Sequence, residues 1–377
     1  MRPFAKLCSS SADRGPGRIP RGTEAERAIA ILTGLAALLL LPPASAGDDP
    51  CRAGAQALER RDPAAAEALL RQCVAAHPDQ LAPYLQLCAA YQLQGKSAEL
   101  EAAAAAGLKR FPDEKRFYFT VGTRAGQQKR FERALEVFGA AFRRWPDDPK
   151  FRENLASAHV GRGLELLDAS KNAEAEKHLR RATELDPQDV EAQLNLGRAL
   201  HNSNRSVEAL AAFDRVLALD SRLELAHFHR GMVLYGLGEY ERAVADLERE
   251  IEIDPGYPPS YLFRGLAKIA QGEWTQALAD LDEAARRMPD NAKAHYARAR
   301  CLAQLGRGTD AEAAFRRTIE LDPSDPAPMN ALARVLQEAG RAEEAEGLFR
   351  KAAQLDKKLR SAGPGEIRFE SPARKPR

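Results

Sequence analysis

Residues able to do chemistry are few and scattered in this 377-residue chain, which has five cysteines and seven histidines. His77, His159, His178, His201, His227, His229 and His295 show no metal-ligand spacing, so neither a metal nor a cofactor is expected. The chain contains no glycine-rich phosphate loop and no HExxH, CxxC or GxSxG pattern. These absences favour a non-enzyme. Two groups remain whose types demand partners. One is the cysteine set Cys51, Cys73, Cys88 and Cys301; the other is Arg230, Arg264 and Arg298, where apolar residues would be expected. What they do depends on the elements that hold them.

Composition favours helices. Aromatics are 6% and charged residues 29%, with alanine overused. Fifty-six basic against 54 acidic residues give a net charge of +2, which argues against a nucleic-acid binder.

Residues 1–46 read as a secretory signal peptide. A basic segment precedes the apolar run Ala28–Leu41, Pro42 and Pro43 end that run, and Ala44-Ser45-Ala46 offers small residues for cleavage. Fourteen helical residues span about 21 Å, short of the ~30 Å hydrocarbon core. Cleavage is therefore expected, with an uncleaved membrane anchor as the alternative. It leaves 50 basic and 51 acidic residues and four cysteines in an exported, periplasmic or cell-envelope chain.

The rest is one repeated phrase. Prolines at 78, 112, 146, 187, 255, 289 and 323 are spaced 34, 34, 41, 68, 34 and 34, with Ser221 standing where one would fall inside the long gap. The repeats are 47–80, 81–114, 115–148, 149–189, 190–223, 224–257, 258–291, 292–325 and 326–359. Small residues hold the eighth place: Gly54, Cys88, Gly122, Ala156, Gly197, Gly231, Gly265, Ala299 and Ala333. A second small site, such as Ala243 or Ala277, precedes a large residue by four places, Leu247 or Leu281, on one helical face. Gly95, Gly238, Gly272, Gly306 and Gly340 stand where a left-handed residue closes the first helix.

In these places the chain closely resembles the tetratricopeptide repeat family over about 313 of its 377 residues. The resemblance implies an all-α, right-handed superhelical solenoid of about nine helix-turn-helix repeats. It also implies a protein or peptide partner held by the first helices, which line the concave face. The 41-residue repeat carries seven extra residues near Gly163–Ser170, close to two helical turns. An extended first helix protruding from one rim is expected; a longer loop is the alternative.

At the seventh place, Arg230 and Arg264 are expected to pair with Asp246 and Asp280 on the second helices; Arg298 lacks an evident acid, Asp280 being one candidate. Cys51 and Cys73 fall roughly opposite each other on the two helices of the first repeat, which predicts a disulfide; Cys73–Cys88 is the competing pairing. The inner places of the family are the second, fifth, ninth and twelfth. Here they hold the apolar stripe Leu225, Phe228, Met232, Tyr235, Leu262, Leu266 and Ile269. Beside it stand Arg198, His201 and Asn202, then Tyr296, Arg300, Asn330 and Arg334. An apolar floor between arginine-bearing walls suits a peptide with hydrophobic anchors and acidic flanks. Residues 360–377 read as a flexible basic tail. The function expected is a non-catalytic scaffold or adaptor of the cell envelope; a periplasmic holdase for exported clients is the alternative.

Overall fold

The computed structural model describes residues 49–361. The export segment expected at 1–46 and the tail beyond Ser361 lie outside the described residues. Among the described residues all regular structure is helical, in eighteen helices that follow one another as nine pairs. Two compact units divide the chain after Arg205. The N-terminal unit holds α1 (Pro50–Glu59), α2 (Pro63–Ala76), α3 (Leu81–Leu93), α4 (Ser97–Arg110), α5 (Lys115–Gln127), α6 (Phe131–Arg144), α7 (Pro149–Asp168), α8 (Asn172–Leu185) and α9 (Val190–Asn202). The C-terminal unit holds α10 (Ser206–Leu219), α11 (Ala226–Leu237), α12 (Tyr240–Ile253), α13 (Pro258–Ala270), α14 (Trp274–Arg287), α15 (Ala292–Gln304), α16 (Gly308–Leu321), α17 (Pro326–Glu338) and α18 (Ala342–Ser361). Within each unit a helix packs on its chain neighbours and, for the first helices, on the next first helix.

Local chemistry explains where the helices begin. Asp148, Asp189, Asn291 and Asp325 cap α7, α9, α15 and α17 by accepting first-turn backbone N–H groups at 2.8–3.1 Å. The five expected glycines close their first helices at φ of 69–82°. Four other repeats close with Arg61, Lys129, Ser170 and Asn204 at φ of 58–60°, a conformation that costs a side-chain-bearing residue about 1 kcal/mol. No shared residue type marks these four positions in the sequence.

The two helices of a repeat meet at a fixed offset of sixteen residues. A Cβ placed on Gly122 would stand 2.5 Å from the ring of Phe138, and one on Gly265 would stand 2.8 Å from Leu281. In the fourth repeat this offset joins Gly163, not Ala156, to Leu179, at 2.6 Å for an added Cβ. Ala156 instead belongs to the core shared with Phe138 and Phe151. The expected extension exists as helix, since α7 has 20 residues against 13 in α5 or α9. It does not protrude freely, because Val160, Gly163, Leu166 and Leu167 are buried. The first half of α7 packs on the preceding pair and the second half serves its own.

The sixth repeat starts differently. Leu223 stands 34 residues from the capping Asp189 and offers no side-chain acceptor. Helix α11 begins only at Ala226, after Leu225 in the left-handed region at φ 69°. The cap comes from α12 instead. Glu250, wholly buried, accepts the N–H groups of Leu225 at 2.7 Å and Phe228 at 3.2 Å. Burial raises its carboxyl above the ordinary glutamate range, against the lowering effect of those two N–H groups and of His227.

Candidate functional site

The seventh-place arginines form a ladder along the C-terminal unit. Arg230 Nε and Nη2 each donate to Asp246 at 2.7 Å. Its Nη1 donates to Asp214, on α10, at 2.7 Å. Arg264 is bidentate to Asp280 at 2.9 and 2.5 Å, and Lys268 joins the same carboxylate at 3.0 Å. Glu248 stands 3.9 Å from Arg264. Arg230 and Arg264 thus each meet one acid sixteen residues ahead and another sixteen behind. Arg298, facing Ala314 ahead, keeps only the rearward bond, to Asp282 at 2.5 Å. The candidate Asp280 is already taken by Arg264 and Lys268, so the pairing weighed for Arg298 is replaced by Asp282. His227 Nδ1 lies 3.0 Å from Asp246 Oδ1 and adds a further partner to that carboxylate. Asp246 and Asp280 are themselves buried.

The inner places divide into core and surface. Phe228, Met232, Leu262 and Ile269 are 1–8% exposed, so the continuous apolar stripe read from the sequence does not stand open. Phe228 lies edge-on to Tyr257 at 5.0 Å and to Phe263 at 5.6 Å. Leu262 and Ile269 belong to one core with Leu281 and Leu302. The next repeat closes over them, which the place number of a residue does not encode. Leu225 is the left-handed residue before α11, with its N–H held by Glu250.

The remaining inner residues reach the surface. Tyr235, Leu266 and Tyr296 are half-buried on α11, α13 and α15. Tyr235 lies 6.1 Å from Phe263 and 5.7 Å from Tyr240. Burial holds its phenol above the ordinary tyrosine range, partly offset by the charge of Arg300. Arg300 and Arg334 are exposed, 34 residues apart in register, and among the described residues neither has a carboxylate partner. In the N-terminal unit, Arg198 donates to Asn195 Oδ1 at 2.7 Å, and Asn202 lies 3.3 Å from Asn172. His201 is held below the ordinary histidine range by burial.

Two features escaped the sequence reading. Phe119 occupies a fifth place on α5 and stacks on Phe151 at 4.3 Å, half-buried. The inner-place frame that selected Phe228 also selects it. His159 and His178 bring their Nδ1 atoms to 3.0 Å across α7 and α8. Burial lowers His159 to about 4 and His178 in the same direction. Their separation in sequence carries no signal without the extended α7. A disulfide joins Cys51 to Cys73 at a Cα separation of 4.9 Å, while Cys88 and Cys301 are free and buried. Burial pushes the Cys88 thiol up to about 12 and the Cys301 thiol to about 11, so both are protonated and unreactive at neutral pH.

Paired helices with small residues at each crossing define the class as an all-helical repeat protein. Tetratricopeptide repeat models match residues 119–164, 160–224, 264–326 and 309–359, and a second model of the same repeat matches 224–257. The chain belongs to the tetratricopeptide repeat family. Among solved structures, YrrB, described as a TPR protein with an unusual peptide-binding site, is 22% identical with a TM-score of 0.43, over 48% of this chain and 92% of that one. MamA is 20% identical with a TM-score of 0.42, over 44% and 97%. PilF of Pseudomonas aeruginosa is 20% identical with a TM-score of 0.48, over 57% and 95%. No curated protein matches the chain in sequence. No helix among the described residues is long and apolar enough to cross a membrane.

Proposed function

We propose that the chain is a non-catalytic scaffold of the cell envelope, exported by residues 1–46, which binds a protein partner through the first helices of its C-terminal unit. The observation that carries this is the state of Arg300 and Arg334. The seventh-place arginines are held by acids, whereas these two, at the same inner place of adjacent repeats, are exposed beside half-buried Tyr235 and Tyr296. An exposed guanidinium beside an aromatic surface can donate to the carboxylates of an acidic peptide with an apolar anchor. The burial of Phe228, Met232, Leu262 and Ile269 narrows the apolar floor that both the scaffold and the holdase readings used, so the scaffold reading rests on the arginines and tyrosines. The test is photocrosslinking from a reactive amino acid placed at Tyr296 in cells. One dominant adduct that weakens when Arg300 and Arg334 are changed to Glu supports the scaffold; a ladder of many adducts, insensitive to those charges, counts against it.

A further inference from the structure

The first helix pair gathers three metal-capable side chains in one spot, with a fourth bonded to one of them. A carboxylate oxygen of Asp49, the sulfur of Cys51 and a ring nitrogen of His77 all lie within 4.8 Å of one another. The sulfur of Cys73 is bonded to that of Cys51. Asp49 and Cys51 come from the cap and first turn of α1. Cys73 and His77 come from the end of α2, one turn apart, with the His77 N–H donating to the Cys73 carbonyl at 2.8 Å.

We propose that reduction of the Cys51–Cys73 disulfide turns this spot into a site for a zinc-like divalent cation, held by the two thiolates, His77 and Asp49. Two sulfurs, one imidazole and one carboxylate form a four-ligand set suited to tetrahedral zinc. Such a site has ligand-to-ligand edges of about 3.5 Å. Asp49, Cys51 and His77 start within 4.8 Å of one another, His77 is exposed and able to turn, and the Cys73 sulfur starts bonded to that of Cys51. Asp49 caps α1 with one oxygen, bonded to the Cys51 N–H at 3.0 Å, which leaves the other for the cation. A dithiol reductant supplies two electrons and two protons, the sulfur–sulfur bond breaks, and the reductant closes to a cyclic disulfide. Each new thiol then releases one proton as the cation binds. The first repeat, which among the described residues has a repeat neighbour on one side only, is stapled in either state. The pattern Asp-x-Cys followed by Cys-x3-His reads in sequence as a simple disulfide pair, because the two halves sit on different helices.

Cobalt(II) chloride titrated into the purified chain tests this, before and after dithiol reduction and removal of the reductant without oxygen. The reduced chain is expected to take up one equivalent with a sulfur-to-cobalt charge-transfer band and the strong visible absorption of tetrahedral cobalt. The oxidised chain is expected to give neither. His77→Ala in the reduced chain should weaken binding about tenfold or more. A reduced His77→Ala chain that binds cobalt as the reduced parent does, or a reduced Cys51→Ser/Cys73→Ser chain that gives the same band through Cys88 and Cys301, overturns the proposal. Circular dichroism on each sample separates lost binding from lost folding. If the double serine chain does not fold, the His77→Ala comparison decides alone.

Discussion

Glu250 shows at single-residue scale how the chain repairs a missing cap. Its carboxylate satisfies two backbone donors at the start of α11, where Leu223 offers no side-chain cap. Glu250→Ala leaves both unpaired in the core and is expected to cost about 2 kcal/mol in a denaturant titration. The folded-state pKa is raised, so the folded chain holds this proton more tightly than the unfolded one. Stability from this group is therefore full below the ordinary glutamate range and declines as pH rises through the raised value. The groups acting on it are His227, which favours the anion, and Asp254, which opposes it. Glu250→Gln should flatten that part of the stability–pH curve; an unchanged slope contradicts the assignment. The arginine ladder gives a second contrast. Asp280→Ala strands Arg264 and Lys268 at a buried site and should cost about 3 kcal/mol. Arg298→Leu breaks one half-exposed pair and should cost under about 1 kcal/mol, measured the same way.

At the scale of elements, the offset of sixteen residues runs both ways: the forward pairs Arg230–Asp246 and Arg264–Asp280 were legible in the sequence, and the rearward pairs to Asp214 and Asp282 were not. The 34-residue period was legible because prolines end the second helices and small residues mark the crossings. The partner of Arg298 and the role of Gly163 were not, because a place number identifies a helix face but not what faces it. Counted backward, the same offset leads from Arg298 to Asp282 and from Leu179 to Gly163. Gly163→Val is expected to force Leu179 aside and lower stability by about 2 kcal/mol, whereas Ser157→Val on the exposed face of α7 should be near neutral. Lys129→Gly relieves a left-handed lysine and should raise stability by about 1 kcal/mol. A rise in the midpoint of thermal unfolding checks it; a fall would mean that the lysine side chain stabilises the turn by more than its backbone costs.

At the scale of the whole molecule, stability is a sum of nearest-neighbour terms within each compact unit. Reduction of the disulfide, which spans 22 residues, removes a constraint of about 3 kcal/mol. In metal-free buffer, hydrogen exchange should quicken in α1 and α2 and stay unchanged in the C-terminal unit. The division between core and binding surface is the part of the site that sequence could not supply. Phe228 and Leu262 carry the composition of a binding floor but are covered by Tyr257, Phe263 and the core beyond them. Arg300 and Arg334 remain open. The most direct measurement is a crosslinking pull-down from the envelope fraction with three baits: the parent chain, Arg300→Ala/Arg334→Ala, and Phe228→Ala/Leu262→Ala. The account predicts one partner retained by the parent and lost from the arginine variant at unchanged helicity, with helicity itself reduced in the core variant. Equal capture by the parent and the arginine variant would contradict it.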